Sequence, residues 1–168
     1  MIVKDLDFLR QISTSVSSIE EANDIISLLE KELQHSNDMG DLGIGLAAVQ
    51  IGILKRVAIA RIGKVNIKLV NCNIFEKYDP IDSDEGCLSL PGKNCKVKIY
   101  NQILIENNLI GFNKFCVYGL VGICIQHEID HWDGNLIIDN EIKNVNIGQN
   151  MPCPCKSGNK YNKCCGNK

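Results

Sequence analysis

HEIDHWDG, residues 127–134, carries two of the three histidines of the chain. An α-helix turns 100° per residue, so His127 and His131 fall on one helical face, one turn apart. Two imidazoles so placed can hold one metal ion, and Glu128 beside them is a candidate proton carrier. The plainer reading is a helix whose histidines point to water. The stretch also sets the architecture. It ends a helix expected from about Tyr118 to Trp132, with Gly134 as the natural residue just past its end.

Working outward, the segments before that helix have other periods. SSIEEANDIISLLEKELQHS (17–36) predicts an amphipathic helix, with Ser18 and Glu21 as a capping box and Ala22, Ile25, Ile26, Leu29 and Leu33 on one apolar face. NDMGDLGIG breaks it with turn residues. KRVAIARI and NIKLVNCNIF are strand-like. In NCKVKIYNQILIEN, Cys95, Val97, Ile99, Ile103 and Ile105 alternate with Lys96, Lys98, Gln102 and Glu106, the pattern of a half-buried strand. Helix, strands, helix in that order predicts an α+β fold rather than alternating βαβ units. The polar IDNEIKNVNIGQN reads as a linker, giving a body over 1–140, a linker over 141–151 and a cysteine-rich module over 152–168.

A chain of 168 residues with 45% hydrophobic residues can bury one real core. A net charge of −2 gives no global case for DNA or an anionic membrane. The acidic start MIVKDLDFLR is not a signal peptide, and the apolar run YGLVGICI is too short to span a bilayer. The expectation is a cytoplasmic protein. In a reducing compartment its 9 cysteines are core residues, metal ligands or nucleophiles rather than disulfides.

A catalytic metal site needs a third ligand beyond His127 and His131. HEIDHWDGNLI follows the protease pattern H-E-x-x-H-x-x-G-x-x-H until Ile137 replaces the last histidine. Glu141 is a substitute close in sequence, so a metalloprotease stays open. Cys124 shares the helical face but lies seven residues from His131, about 10.5 Å along the axis, against metal bonds of about 2.0 to 2.3 Å. It reads better as a wall of the site. EGCLSLPG (85–92) offers Cys87, beside Gly86 and ahead of an expected extended segment. Gly43-Ile44-Gly45 in LGIGLAAVQIG (42–52) lacks the preceding strand of a dinucleotide fingerprint. Gln50 there is a polar side chain in an apolar stretch, which suggests a partner.

Together GIGLAAVQ (43–50), EGCLS (85–89) and HEIDH (127–131) resemble, in order and spacing, the motifs of peptide deformylases. The resemblance covers roughly residues 1–140 and implies an α+β fold with antiparallel strands packed around the central HEIDH helix. It implies removal of the formyl group from N-formylmethionyl peptides, with formate released. It also implies Cys87, His127 and His131 as metal ligands, Glu128 as general acid and base, and Gln50 and the Leu88 N–H as donors to the formyl oxygen. Gly45 would meet the substrate backbone, and Ile44, Leu120, Ile123 and Cys124 would line the methionine pocket. The ion in the family is Fe²⁺, replaceable by Zn²⁺ or other divalent ions. The chain departs from the family at Val49, where proline is common, and at Trp132, where leucine is usual. Its GKNCK segment after Pro91 lacks a substrate-binding arginine. Asp130 and Glu85 are candidates to orient neighbouring groups. A non-catalytic scaffold would need neither Glu128 nor Gln50.

CPCKSGNKYNKCC (153–165) is C-x-C-x₈-C-C and resembles the SEC-C zinc motif, implying Zn²⁺ on Cys153, Cys155, Cys164 and Cys165. The sixteen residues 153–168 cannot bury a core, so metal would have to supply the fold. Lys156, Lys160, Lys163 and Lys168, with no acids, make the module basic. Docking to the ribosome or to a protein partner is the expected use.

Overall fold

A computed structural model of the chain describes residues 1–108, 114–142, 149–153, 155 and 157–166. Helices α1 (Leu6–Leu9) and α2 (Ile19–Asp38) precede three short strands, β1 (Gly45–Ala47), β2 (Val57–Ile62) and β3 (Val65–Val70). Two long strands, β4 (Asn73–Gly86) and β5 (Asn94–Glu106), and the shorter β6 (Lys114–Tyr118) follow, and then helix α3 (Gly119–Trp132). The strands form two antiparallel three-stranded sheets in the orders β1-β2-β3 and β4-β5-β6. The α+β expectation holds.

Alternation along the first sheet explains the layering. Leu46, Val57, Ile59 and Val70 point to one face and pack on Ala22, Ile25, Ile26, Leu29 and Leu33 of α2. Ala47, Ala58, Ala60 and Leu69 point to the other face, where Ile125, Ile129 and Trp132 of α3 pack. The alanines are small, so α3 can lie close to the sheet. Its opposite side is covered by Cys95, Val97, Ile103 and Ile105 of β5. Helix α3 is therefore held between two sheets, and even Trp132 is fully buried, with Nε1–H donating to the Val57 carbonyl at 3.4 Å. A buried helix of this kind must account for every polar side chain it carries.

Local chemistry sets the ends. Ser18 Oγ accepts from the Glu21 N–H at 3.1 Å, as predicted, but Glu21 Oε2 accepts from the Ser17 N–H rather than from that of Ser18. NIKLVNCNIF is two strands, not one: Asn71 adopts φ +49 and turns the chain, and its side chain bonds Val16 N and O at 3.0 and 2.9 Å. The segment after Cys87 is not extended. Residues 88–92 form turns, with Leu90 N–H donating to the Cys87 carbonyl at 2.9 Å and Gly92 at φ +72. The expected linker begins as part of the body, since Glu141 pairs with Val97 and Ile142 N–H donates to the Lys96 carbonyl at 2.7 Å. Residues 143–148 of it lie outside the described residues, as do Lys156 and Lys168 of the basic tail, and Gln149 and Met151 accept backbone bonds from Asn162 and Tyr161 of the tail. No described helix is long and apolar enough to cross a membrane.

Gly134 closes α3 at φ +72, and a Cβ there would overlap the Arg10 carbonyl oxygen and lie 2.8 Å from its carbon. Gly40 also has positive φ, +95, but open space around it. Gly134→Ala should therefore cost about 2–4 kcal/mol and Gly40→Ala about 1 kcal/mol in urea unfolding. Equal costs would contradict this reading of the α3 terminus.

Candidate metal centre

Three elements meet at one point. Helix α3 supplies His127, Glu128 and His131; the end of β4 supplies Glu85, with Cys87 just beyond; and the 3-10 turn Ala48–Ile51 after β1 supplies Gln50. Ligand atoms of Cys87, His127 and His131 all lie within 4.8 Å of one another. Cys87 Sγ is 3.4 Å from His131 Nε2, and the two imidazoles stand edge to face with centroids 5.0 Å apart. One sulfur and two imidazole nitrogens suit a divalent first-row ion and leave a coordination position open. Glu141 is not in the cluster, and Ile137 packs in the core, so neither protease-type third ligand is present.

The surrounding polar groups hold these side chains in place. His127 Nδ1 bonds Glu85 Oε2 at 2.9 Å, which directs its Nε2 away from that carboxylate. Of the two acids named as orienting candidates, Glu85 is the one in contact with a histidine; Asp130 makes no side-chain hydrogen bond among the described residues. Gln50 Oε1 accepts from the Ala47 N–H at 2.8 Å. That fixes the amide so that Nε2 faces Cys87 Sγ at 3.4 Å and Ser89 Oγ at 3.3 Å. Ser89 is buried and was assigned no role from sequence, although it lies inside the EGCLS stretch. The Leu88 N–H donates to no backbone carbonyl among the described residues.

Burial dominates the electrostatics. It raises the Glu128 carboxyl to about 7, against the opposing pull of His127. It lowers His131 to about 3, helped by the charge of His127, so this ring stays neutral with a lone pair to give. At His127 burial pulls downward, but hydrogen bonds to Cys87 and Glu85 outweigh it and the ring is raised. Burial also keeps the Cys124 thiol protonated, and lifts Asp130 to about 6 despite nearby Lys77. Glu128 Oε2 is buried with no protein partner.

These groups open onto a cleft of about 570 Å³. Ile44, Gly45, Leu120, Ile123 and Cys124 line it together with Gln50, Cys87, Leu88, His127 and Glu128. His131 sits behind, 2% exposed, and does not reach the cleft. Lys4 and Lys93 also line the cleft, a pair of cations that sequence reasoning passed over. Lys4 lies far from the motifs. Lys93 belongs to the segment noted for its missing arginine.

At the other end of the chain the four cysteines Cys153, Cys155, Cys164 and Cys165 also gather, with Sγ atoms all within 4.8 Å. Neighbouring sulfurs lie 3.3–3.9 Å apart, too far for a disulfide and close to the edge of about 3.8 Å that a tetrahedral Zn–S site requires. Backbone bonds shape the knuckle: Cys153 N–H to the Asn159 carbonyl and Tyr161 N–H to the Met151 carbonyl, both 2.8 Å. Hydrogen bonds from Ser157 and Cys153 draw the Cys155 thiol down to about 6, whereas sharing with Cys153, Cys155 and Cys164 pushes Cys165 up to about 12. Four crowded thiols cannot all ionise unless a cation joins them.

Comparison with known proteins agrees with the geometry. The sequence profile of the family described as Polypeptide deformylase matches residues 2–146. Peptide deformylase 1 of Clostridium perfringens is 37% identical over 128 residues, covering 74% of this chain and 86% of that protein. The peptide deformylase of Acetivibrio thermocellus is 34% identical over 140 residues, covering 82% and 79%. Among solved structures, a peptide deformylase from Synechococcus elongatus in complex with actinonin superposes with a TM-score of 0.76 at 29% identity, covering 86% of this chain and 79% of that one. The Thermotoga maritima peptide deformylase gives 0.74 at 26% identity, covering 85% and 97%. With the profile spanning most of its length, the chain belongs to the polypeptide deformylase family.

Proposed function

We propose that the chain hydrolyses the N-formyl group from the formyl-methionine that begins newly made proteins, releasing formate. The observation that carries this reading is the meeting of the Cys87–His127–His131 donor set with the buried, part-unpartnered carboxylate of Glu128 beside one cleft. The donors fit Fe²⁺, with Zn²⁺ or another divalent ion able to replace it. When bound, the ion would activate a water and polarise the formyl carbonyl.

The chain's own residues do the rest. Glu128 takes the proton of the attacking water and passes it to the departing amine nitrogen. Gln50 Nε2–H, aimed by the Ala47 contact, and the Leu88 N–H donate to the oxygen on which charge develops. Glu85 holds His127 in one orientation through Nδ1. Gly45 leaves room for the substrate backbone: a Cβ there would overlap Glu128 Oε1 and lie 2.6 Å from Cys124 Sγ. Ile44, Leu120, Ile123 and Cys124 receive the methionine side chain, with Cys124 as wall rather than ligand, its thiol directed at the Ile44 carbonyl at 3.6 Å.

We assign Zn²⁺ to Cys153, Cys155, Cys164 and Cys165, and dock the resulting module to the ribosome or to a protein partner near emerging chains. Support comes from the basic charge of the module, in which Lys160 and Lys163 are exposed. The division into a body over 1–140, a linker over 141–151 and a module over 152–168, and a cytoplasmic site of action, go with this reading.

Formate release from a formyl-Met peptide by anaerobically iron-loaded protein tests the reaction. Glu128→Ala should lower kcat about 10²- to 10⁴-fold while the ion stays bound. An inactive parent, or a variant as fast as the parent, would contradict the assignment. Elemental analysis should find two bound ions per chain, with Cys87→Ala losing the body ion and Cys164→Ala the tail ion. A single variant that loses both would sink the two-site assignment. Removing residues 150–168 should reduce co-sedimentation with ribosomes, and unchanged co-sedimentation would refute ribosome docking.

A further inference from the structure

Behind the metal ligands, on the side away from the substrate cleft, lies a second recess of about 200 Å³. His131, Glu85, Asp130, Asn135, Asn140 and Lys77 contribute its polar lining. Two of its lining side chains carry buried polar atoms without a protein partner, His131 Nδ1 and Glu85 Oε1. The two histidines are thus treated differently. His127 has its outer nitrogen bonded directly to Glu85 at 2.9 Å. His131 turns Nε2 toward Cys87, at 3.4 Å, and its Nδ1 toward no protein group.

A neutral imidazole that ligates through Nε2 carries its proton on Nδ1, and that N–H needs an acceptor to fix the tautomer and the ring. The recess has polar lining groups, and its volume of about 200 Å³ exceeds the roughly 30 Å³ share of a water molecule, so it has room for water. Glu85 and Asp130 both line the recess; Glu85 already holds His127 through Oε2, and Asp130 is the acid there without another hydrogen-bond partner among the described side chains. Its position is otherwise unfavourable: a half-buried carboxylate in the last turn of α3, where the helix dipole repels negative charge, with no side-chain hydrogen bond among the described residues and the charge of Lys77 as a partial offset. A group kept at a cost to folding, beside an unpartnered ligand nitrogen, is better explained by what it does for that ligand than by stability.

We propose that this recess is a built water site, through which Asp130 acts as a positioning residue for His131. Bridging water accepts from His131 Nδ1–H and donates to the Asp130 carboxylate, holding the ring with Nε2 toward the ion. The inference rests on the ligand assignment made above.

The test is metal retention rather than turnover. The full chain is loaded with Co²⁺, and its release to excess chelator is followed by the cobalt visible bands. A Cys87→Ala sample run in parallel supplies the tail's own signal for subtraction. Asp130→Ala should release body-site cobalt about 10- to 100-fold faster than the parent, as losing an outer-shell partner typically does, and its bands should shift. Asp130→Asn, which keeps an acceptor oxygen, should restore most of the retention. Thermal unfolding of the metal-free proteins should show Asp130→Ala no less stable than the parent. Unchanged release from Asp130→Ala would overturn the proposal, as would a loss of metal-free stability with unchanged bands. A parent that binds no body-site cobalt would remove its basis. Failure of the deformylase reading would look different: cobalt retained, Asp130-dependent, and no formate released.

Discussion

The close approach of strand β1 to helix α3 is the constraint on which the rest of the site depends. At Gly45 the backbone passes so near the helix that any side chain would collide with Glu128 and Cys124. That contact needs glycine on the strand, small alanines along the sheet face beneath α3, and a helix buried on both flanks. Once α3 is buried, its polar residues must be satisfied or put to use. His127 is satisfied by Glu85, while Glu128 Oε2 and His131 Nδ1 are left without protein partners. Those two unsatisfied atoms are open to a partner from outside the protein, such as water or substrate.

Folding and chemistry share the same residues here. The turn that presents Cys87 follows directly from the last pair of the β4–β5 ladder, Gly86 with Asn94, so ligand position is tied to sheet register. A one-residue slip of β4 would send Glu85 to the opposite face and release His127. The Gln50 amide is fixed by a backbone N–H only three residues earlier, at Ala47, so its orientation is local and does not await the distant elements. Helix, strand end and local turn converge on one point, and each brings a different donor.

Much of this was legible in the sequence, for stated reasons. A 3.6-residue period and Ser18 revealed α2, and strict alternation revealed the buried face of β5. The i, i+4 histidines and the exclusion of Cys124 followed from helix geometry alone, and the resemblance supplied Cys87. Beyond its first residues, Asn73–Phe75, the longest strand, β4, went unread because its burial is slight until Glu85: an edge strand carrying Tyr78, Asp79, Pro80 and Asp82 in the open has no apolar period to detect. The turns after Cys87 were read as extended because Pro91 biases its predecessor toward β, whereas the Leu90-to-Cys87 bond folds the segment back. Asn107, which ties Val70, Lys68 and Cys72 together by 2.9–3.0 Å bonds, gave no signal, since a single buried amide has no pattern. The choice between Glu85 and Asp130 required three dimensions: both are acids near the motifs, and only one faces His127 directly.

The central claim is that one ion is held by one cysteine and two histidines drawn from separate parts of the chain. X-ray absorption at the iron edge of the anaerobically iron-loaded protein tests it most directly. The account predicts one sulfur and two imidazole nitrogens around iron, with the sulfur lost in Cys87→Ala. A shell with no sulfur, or with two or more, would contradict it.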